Sequence, residues 1–350
     1  MAQMDQLEMD APQAVIDTVQ ALLAADKGLI AMDESNSTCN KRFAALGVPQ
    51  TAVARRAWRE LIVTTPGLSD SISGAILYDE TIHQQLQDGR PFGRALADLG
   101  IVCGIKVDTG AQALAGHDGE SVTEGLDGLR ERLHSYATLG ARFAKWRAVI
   151  AIGAGLPSTA CIVANAHALA RYAALCQEGG LVPVIEPEVL MTGDHTLQRC
   201  AEVTAQVLHE VFEQMHVQQV MLEGLLLKPN MVLPGLDCAH QDGLDDVAEA
   251  TLTCLLRAVP AAVPGIAFLS GGQSAELASA RLSAMNQRCK AHMPWALTFS
   301  FSRAIQQPAL DIWRGERGNV EEAQQMLRHR AACNRAARQG TYTAAMDVVA

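Results

Sequence analysis

Lysine is the residue type in this sequence whose placement first suggests chemistry. Lys228 ends a mostly apolar run, residues 219–227, at a point where a buried strand would otherwise continue. Burial disfavours the charged ammonium, and a neutral amine at pH 7 is a nucleophile towards ketones and aldehydes. The alternative is a lysine that carries its ammonium to solvent at a strand end, which is the commoner situation for a single lysine beside apolar residues. Lys228 is therefore a candidate nucleophile that needs support from the rest of the chain.

The chain uses lysine sparingly. It has 28 basic residues, of which six are lysines and 22 are arginines. Where positive charge alone suffices, the chain thus mostly uses arginine, whose guanidinium does not deprotonate and cannot act as an amine nucleophile. Three of the six lysines, Lys106, Lys145 and Lys228, stand at the ends of strand-like runs. Their placement favours amine chemistry.

Strand-like apolar runs alternate with helical patterns along the chain. The eight runs cover residues 28–33, 74–79, 100–108, 141–150, 179–188, 219–230, 265–272 and 295–303. The helical patterns cover residues 13–25, 51–61, 125–139, 164–178, 197–215, 244–259, 274–288 and 321–338. Eight such units predict an α/β fold, the (β/α)8 TIM barrel. An open Rossmann-type sheet is the alternative, but no strand is followed by its G-x-G-x-x-G fingerprint.

The same pass along the chain predicts a single domain over residues 1–350. No composition shift, low-complexity linker or repeat marks a boundary. The barrel strands fall within about 28–303, and residues 304–350 supply a C-terminal helix and a short tail. Extra helices are therefore expected at both ends of the barrel.

Polar side chains gather at the predicted ends of the strands, where the active site of such a barrel lies. Residues two apart on a strand share a face, so Glu186 and Glu188 can both point into the barrel, as can Lys145 and Arg147. Most barrel interiors are filled with Val, Ile and Leu. The ring at the predicted barrel mouth consists of Asp33, Lys106, Lys145, Arg147, Glu186, Glu188, Lys228, Ser270, Ser300 and Arg303. Such a set of charges indicates function and is hard to explain as packing.

Composition excludes several other classes of protein. The net charge of −10, the pI near 5.5 and the lack of a basic run argue against a nucleic-acid partner. Nine cysteines without a C-x-x-C pair indicate reduced, mostly buried thiols. The acidic N-terminus lacks the pattern of a signal peptide, and the uncharged segment 148–170 is too polar to span a membrane. A cytoplasmic protein that binds neither nucleic acid nor membrane is expected.

Seven short motifs, in order and with family-like spacing, resemble the strand motifs of class I fructose-1,6-bisphosphate aldolases. They are MDES (32–35), GIKVD (104–108), FAKWR (143–147), IEPE (185–188), LLKPN (226–230), LSGGQS (269–274) and WALTFS (295–300). The resemblance implies reversible cleavage of fructose 1,6-bisphosphate to dihydroxyacetone phosphate and glyceraldehyde 3-phosphate, in glycolysis and gluconeogenesis. It also implies a lysine Schiff base, no metal or other cofactor, and a homotetramer.

By this resemblance, five residues are catalytic. Lys228 forms the Schiff base with the C2 ketone of the open-chain sugar, and desolvation and the like charges of Lys145 and Lys106 favour its neutral form. Glu186 is the acid/base residue that dehydrates the carbinolamine. Asp33 accepts the proton of the C4 hydroxyl, although it could also serve as a helix cap. Glu188 is the fifth residue, for which simple neutralisation of the cations is the stronger alternative.

Phosphate recognition is expected at two places. The residues after the seventh and eighth strands form the phosphate site usual for this fold. They are Leu269, Ser270, Gly271, Gly272, Ser300 and Arg303. A second group resembles the contacts to the other phosphate and to the hydroxyl groups, namely Ser35, Thr38, Lys41, Arg42, Lys106 and Arg147. Lys41 could instead be a solvated surface charge.

The sequence departs from the family pattern in three places. Ser37 and Thr38 stand where the family usually has glycine and serine, and Ser302 occupies a usual glycine beside Arg303. The chain ends at Val349-Ala350 without the terminal tyrosine of animal members, and Tyr342 matches an earlier tyrosine. A tail-dependent proton transfer is therefore not assigned.

Three questions of function stay open at this point. A metal-dependent aldolase would need clustered ligands, and the ten histidines contain no H-x-H or H-E-x-x-H arrangement. A non-catalytic scaffold would be expected to lack part of the charged ring. Preference among fructose 1,6-bisphosphate, fructose 1-phosphate and sedoheptulose 1,7-bisphosphate is not decided by these residues.

Overall fold

The computed structural model describes the backbone of residues 2–348 and the side chains from residue 12 onwards. Val349 and Ala350, at the end of the tail considered above, lie outside the described residues. The strands are β1 (Gly28–Ala31), β2 (Ile72–Leu77), β3 (Val102–Lys106), β4 (Gly110–Ala113), β5 (Ser121–Glu124), β6 (Phe143–Ile150), β7 (Val182–Val189), β8 (Leu226–Leu227), β9 (Gly265–Phe268) and β10 (Ala296–Phe301).

The helices are α1 (Ala2–Leu23), α2 (Asn36–Ala45), α3 (Ala52–Val63), α4 (Asp79–Ile82), α5 (Phe92–Asp98), α6 (Leu129–Thr138), α7 (Thr159–Glu178), α8 (Leu197–Val217), α9 (Leu244–Ala258), α10 (Ala275–Cys289), α11 (Arg303–Trp313) and α12 (Val320–Gln339). Short 3-10 turns cover Ala24–Asp26, Leu68–Asp70, Leu222–Gly224, Arg317–Asn319 and Ala344–Asp347.

Eight parallel strands close into a barrel in the order β1-β10-β9-β8-β7-β6-β3-β2. Each strand therefore pairs with its neighbours along the chain, apart from β4 and β5, which form a separate antiparallel hairpin between β3 and β6. The (β/α)8 prediction is confirmed, and the eight barrel strands are the eight predicted runs.

Alternate residues of the strands fill the interior of the barrel. One buried apolar cluster contains Leu29, Ala31, Ile76, Phe143, Val182, Val184, Leu226 and Ala267 from the strands, with Val15, Val19 and Leu22 from α1. Helix α1 thus covers the end of the barrel where the strands begin. The strand residues of opposite parity, such as Ile30, Trp146 and Ile185, belong to the larger core between the strands and the surrounding helices.

The structure extends or corrects several predicted bounds. Helix α1 begins at Ala2, whereas the apolar spacing predicted a start near residue 13. The run that precedes Lys228 contains only a two-residue strand, and residues 222–224 form a 3-10 turn. The Lys228 amide still donates to Ile185 O at 2.8 Å, so its backbone remains in the barrel. The hairpin and helices α2, α4, α5 and α11 were not predicted, because each is short, and α11 also contains Pro308.

The nine cysteines are free thiols in this structure, in agreement with the reduced state expected from their spacing. Seven are buried: Cys39, Cys103, Cys161, Cys176, Cys200, Cys254 and Cys333. None of the described helices is both long and apolar enough to cross a membrane.

Gly104 generates a prediction about stability, because it makes room for the ring of Phe143 inside the barrel. A Cβ atom at position 104 would lie 2.2 Å from Phe143 Cζ. Gly104→Ala is therefore expected to lower the free energy of unfolding by about 1–3 kcal/mol in a urea titration. Gly318→Ala is the control, since a Cβ atom there meets no atom within 4 Å. Adding Phe143→Leu should restore part of the loss, and equal effects of the two glycine substitutions would contradict this account of the interior.

Candidate active site

A cavity of about 440 Å³ opens at the end of the barrel where the strands finish. It is lined by every residue that the sequence predicted for the site except Gly272, which lines the groove beside it. Ala31, Glu34 and Ser302 line the cavity as well. The structure therefore brings the predicted ring together at one mouth.

Every second residue of a barrel strand points into the barrel, and on two strands two of these inward residues are charged. On β6, Phe143 lies in the buried interior cluster, and Lys145 and Arg147 follow at steps of two. On β7, Val182 and Val184 precede Glu186 and Glu188 in the same way. Each catalytic candidate thus continues a row of barrel-filling residues.

Four side chains form a continuous line of alternating charge. Lys145 Nζ lies 2.7 Å from Asp33 Oδ2 and 3.1 Å from Glu186 Oε2. The other oxygen of Glu186, Oε1, lies 3.1 Å from Lys228 Nζ. All four residues are buried. Glu186 therefore joins the two lysines, and Lys145 joins the two carboxylates.

The pairing shifts the pKa values in opposite directions. Burial raises the pKa of Asp33, but the ammonium groups of Lys145, Lys228 and Lys106 outweigh it and hold that pKa well below its usual range. The pKa of Glu186 is lowered as well, because Lys145, Lys228 and Arg147 outweigh its burial. Burial alone would lower the pKa of Lys145, yet the carboxylates of Asp33, Glu186 and Asp108 raise it. Asp33 and Glu186 are therefore ionised, and Lys145 is charged, at neutral pH.

Two further ion pairs lie at one side of the cavity. Arg147 Nε is 2.5 Å from Glu188 Oε2, and Lys106 Nζ is 3.2 Å from Asp108 Oδ1. Burial would lower the pKa of Arg147, but the carboxylate of Glu188 raises it. Glu188 thus contacts a guanidinium, while Glu186 contacts the two lysines. This geometry favours the neutralising role that the sequence allowed for Glu188.

Asp33 does not cap a helix. The N-cap of α2 is Ser35, whose hydroxyl accepts from the amide of Thr38 at 3.3 Å. Asp33 lies two residues earlier and faces Lys145 inside the barrel. The helix-cap alternative for Asp33 is therefore wrong.

Backbone and hydroxyl groups of the last two barrel strands surround the other side of the cavity. The hydroxyl of Ser300 is buried and has no hydrogen-bond partner among the described residues. Helix α11 begins at Arg303, whose side chain is exposed at the cavity. Gly272 has φ +70°, and a Cβ atom there would lie 2.3 Å from Met191 Cγ. A glycine is thus required for the tight loop after β9.

A scan against protein-family models matches residues 14–350 of this chain to the model described as fructose-bisphosphate aldolase class-I. This chain belongs to the class I fructose-bisphosphate aldolase family. It is a metal-independent lyase that cleaves fructose 1,6-bisphosphate through a Schiff base.

Aldolases from several organisms are similar to this chain over most of their length. A probable class 1 fructose-bisphosphate aldolase of Xanthomonas campestris pv. campestris is 56% identical over 92% of this chain and 96% of its own length. Cytosolic fructose-bisphosphate aldolase 6 of Arabidopsis thaliana is 50% identical over 90% of this chain and 88% of its own. The crystal structure of the Plasmodium falciparum aldolase, in complex with TRAP and an inhibitor, superposes with a TM-score of 0.93. That aldolase is 44% identical, and the match covers 95% of this chain and 96% of the other.

Glu34 is the site residue that sequence reasoning missed. Its carboxylate forms an ion pair with Arg42 and accepts from the hydroxyl of Ser302 at 3.3 Å. Arg59, which is buried, donates to the backbone oxygen of Glu34 at 3.1 Å. The only sequence signal was the position of Glu34 directly after Asp33. A strand places neighbouring residues on opposite faces, so strand periodicity did not predict that both line the cavity.

Two remaining expectations concern residues away from the ion pairs. The hydroxyl of Tyr342 donates to Asp347, which also pairs with the buried Arg330. Tyr342 thus contacts the C-terminal segment and does not line the cavity.

Within residues 12–348, no group of three or more His, Cys, Asp or Glu side chains is placed to hold a metal ion.

The buried line of charge predicts a pH-dependent effect of Lys145→Met. The substitution is expected to lower the free energy of unfolding by about 3–5 kcal/mol at pH 7, because it leaves two buried carboxylates without their shared ammonium. Asp33 and Glu186 have lowered pKa values, so their contribution is complete above their unfolded values of about 4 and is lost as the pH falls further. Lys145 has a raised pKa, so its contribution is complete below its unfolded value of about 10.4 and is lost as the pH rises through its folded value.

The difference between the wild type and Lys145→Met should therefore be constant from about pH 5 to pH 9 and shrink below about pH 4. Urea titrations across this range measure it. Lys290→Met is the control, because Lys290 pairs with Asp26 at the surface and should contribute less than about 1 kcal/mol. A difference that stays constant down to pH 3 would show that the carboxylates do not depend on Lys145.

Proposed function

We propose that Lys228 is the nucleophile of this aldolase and that Glu186 moves its protons. The observation that carries the proposal is the Glu186 carboxylate, which contacts Lys228 Nζ and Lys145 Nζ at 3.1 Å each inside a buried cavity. The nucleophile is thus within reach of a proton acceptor. The carboxylate is in turn held by a second ammonium group that does not itself need to react.

The first half of the reaction is the formation of the Schiff base. The amine of Lys228 attacks C2 of the open-chain ketose, and its proton passes to the new alkoxide to give a carbinolamine. Glu186, which takes up one proton from the Lys228 ammonium before the attack, delivers that proton to the departing hydroxyl, so that water leaves and an iminium remains. Lys145 keeps Glu186 ionised beforehand, because its ammonium lowers the pKa of that carboxyl.

The second half is the cleavage of the C3–C4 bond. Asp33 accepts the proton of the C4 hydroxyl, the C4 oxygen becomes a carbonyl, and the bonding electrons move into the iminium to give an enamine. Glyceraldehyde 3-phosphate leaves at this stage. Protonation of the enamine at C3 and hydrolysis of the resulting iminium release dihydroxyacetone phosphate and regenerate the amine. Asp33 is suited to the role because Lys145, at 2.7 Å, holds it ionised.

The two ends of the cavity bind the two phosphates. One phosphate meets the amides of Ser270, Gly271 and Gly272, the free hydroxyl of Ser300, and Arg303 at the start of α11. The other meets the opposite group, formed by Ser35, Thr38, Lys41, Arg42, Lys106 and Arg147. Leu269 directly follows β9 and lines the cavity next to Ser270.

The second group offers two kinds of side chain. Its hydroxyl groups come from Ser35 and Thr38, and its cations come from Lys41, Arg42, Lys106 and Arg147. Lys41 and Arg147 are the exposed cations of this group.

We further propose that the enzyme is a single-domain protein that works in the cytoplasm as a homotetramer. The cytosolic name of the Arabidopsis relative and the resemblance to the family support these assignments. Light scattering after gel filtration tests the assembly, and the expected mass is four times the 37.4 kDa of the chain. A mass of one or two chains would contradict the tetramer.

Trapping of the Schiff base tests the nucleophile directly. The enzyme is treated with dihydroxyacetone phosphate and borohydride, which reduces an iminium to a stable secondary amine, and its peptides are then mapped by mass spectrometry. The adduct is expected on Lys228. The same treatment without dihydroxyacetone phosphate is the control, and an adduct on Lys145 or Lys106 in place of Lys228 would contradict the assignment.

Lys228→Arg provides the matching kinetic prediction. A guanidinium keeps the positive charge beside Glu186 but cannot form a Schiff base. We expect kcat for fructose 1,6-bisphosphate to fall by at least about 10³-fold, since the covalent route is lost. Circular dichroism checks the fold, and Lys228→Met provides a second variant if arginine does not fit. Activity within tenfold of the wild type would be inconsistent with an amine nucleophile at this position.

A further inference from the structure

Strands β3 and β6 differ in length at the edge of the active site. Their pairing ends with Lys106 opposite Lys145, because β3 stops at Lys106 while β6 continues to Ile150. Beyond that point β6 has no strand partner on its β3 side. The backbone of Arg147, two residues further along, therefore needs other hydrogen-bond partners there.

Two side chains take the place of the missing strand. The amide of Arg147 donates to Asp108 Oδ2 at 3.2 Å, and the carbonyl of Arg147 accepts from the hydroxyl of Thr123 at 2.8 Å. Asp108 follows β3, and Thr123 lies on β5 of the hairpin. Both residues are buried, so water does not readily replace either contact.

Asp108 also connects the two cations at this end of the cavity. Its Oδ1 lies 3.2 Å from Lys106 Nζ, while its Oδ2 holds the backbone of Arg147. A single carboxylate thus orients Lys106 through its side chain and Arg147 through its main chain. Both cations line the cavity.

The position of Thr123 is itself fixed by helix α7. Asn165 accepts from the amide of Thr123 at 3.2 Å and donates to the carbonyl of Ser121 at 2.8 Å. Glu120, just before β5, accepts from the amide of Ser158 at 2.7 Å, next to the start of α7. The hairpin is therefore held to the barrel on the side of α7.

The hairpin is a poor candidate for a purely structural element. Its strand β4 is largely exposed, and Thr123 is the one buried residue of β5. The hydroxyl of Thr123 donates to the backbone carbonyl of Arg147, which lines the cavity. A hairpin that served packing alone would be expected to bury an apolar side chain at this position.

We propose that Thr123 and Asp108 are positioning residues for substrate binding, which hold Arg147 and Lys106 at the end of the cavity that takes the second phosphate. Thr123 acts on the backbone of Arg147, and Asp108 acts on both cations. This inference rests on the proposed function, because it assumes that Arg147 and Lys106 bind the phosphate distant from the Schiff base.

Thr123→Val tests the inference by comparing two substrates. Valine keeps the branched shape but removes the hydroxyl, so the carbonyl of Arg147 loses its donor. KM for fructose 1,6-bisphosphate should rise about fivefold. KM for fructose 1-phosphate, which lacks the second phosphate, should stay within about twofold of the wild type. Equal increases for both substrates, or no increase for either, would overturn the inference.

Three controls separate positioning from a general loss of structure. Ser121→Ala removes a hydroxyl from the same hairpin that makes no hydrogen bond among the described residues, and it should leave both KM values unchanged. Thr123→Ser keeps the donor and should restore the ratio of the two KM values. In an Arg147→Met background, Thr123→Val should add less than a further twofold, because a residue that acts through Arg147 has nothing left to position. A full additional fivefold in that background would overturn the inference.

The inference and the proposed function fail by different observations. Loss of the borohydride adduct on Lys228 contradicts the nucleophile, whereas an unchanged ratio of the two KM values contradicts the positioning role. Thermal unfolding of Thr123→Val completes the comparison. A lower Tm with an unchanged ratio would assign the hydroxyl to stability and overturn the positioning role.

Discussion

The structure depends on the neutralisation of charge inside a closed barrel. Lys145, Asp33, Glu186 and Lys228 are buried, and each charge would be strongly unfavourable alone in that position. Arranged in alternation, with contacts of 2.7 to 3.1 Å, they compensate one another. The same contacts place the carboxylate of Glu186 beside Lys228, the nucleophile that we propose. The pairing that makes burial tolerable thus also assembles the group to which we assign the catalysis.

The barrel provides this arrangement because its interior is layered. Phe143, Val182, Val184 and Leu226 form an apolar floor, and helix α1 closes the barrel below it with Val15, Val19 and Leu22. The next inward positions on the same strands carry the charges. The charged groups are therefore covered from below and meet the cavity at the open mouth. The apolar layer below the charges thus both shields the ion pairs from water and leaves the mouth of the barrel as their open side.

Sequence reasoning found most of the site because the relevant signal is local. A charged residue such as Lys145 or Glu186, on the face of a strand that otherwise carries apolar side chains, can be recognised without knowledge of the fold. The pairings were not accessible in the same way. Whether Asp33 faces Lys145 or caps a helix depends on where α2 begins, and the Ser35 cap decides that only in three dimensions. The hairpin was missed for a related reason. Its contact with the cavity is one hydrogen bond from the hydroxyl of Thr123, and its strands are too short to show a clear alternation of apolar and polar residues.

The departures from the family pattern are accommodated by local hydrogen bonds. Ser302 has φ −107°, so it does not occupy the left-handed region that would favour glycine, and its hydroxyl donates to Glu34. Ser37 lies in the first turn of α2, where its hydroxyl is 3.0 Å from that of Ser35, which also contacts the hydroxyl of Thr38 at 3.0 Å. Serine in place of glycine at these positions adds contacts between side chains. Because Glu34 also pairs with Arg42 on α2, Glu34 contacts both Ser302, just before α11, and Arg42 across the cavity. Glu34 therefore connects the start of α11 to α2 through contacts between side chains.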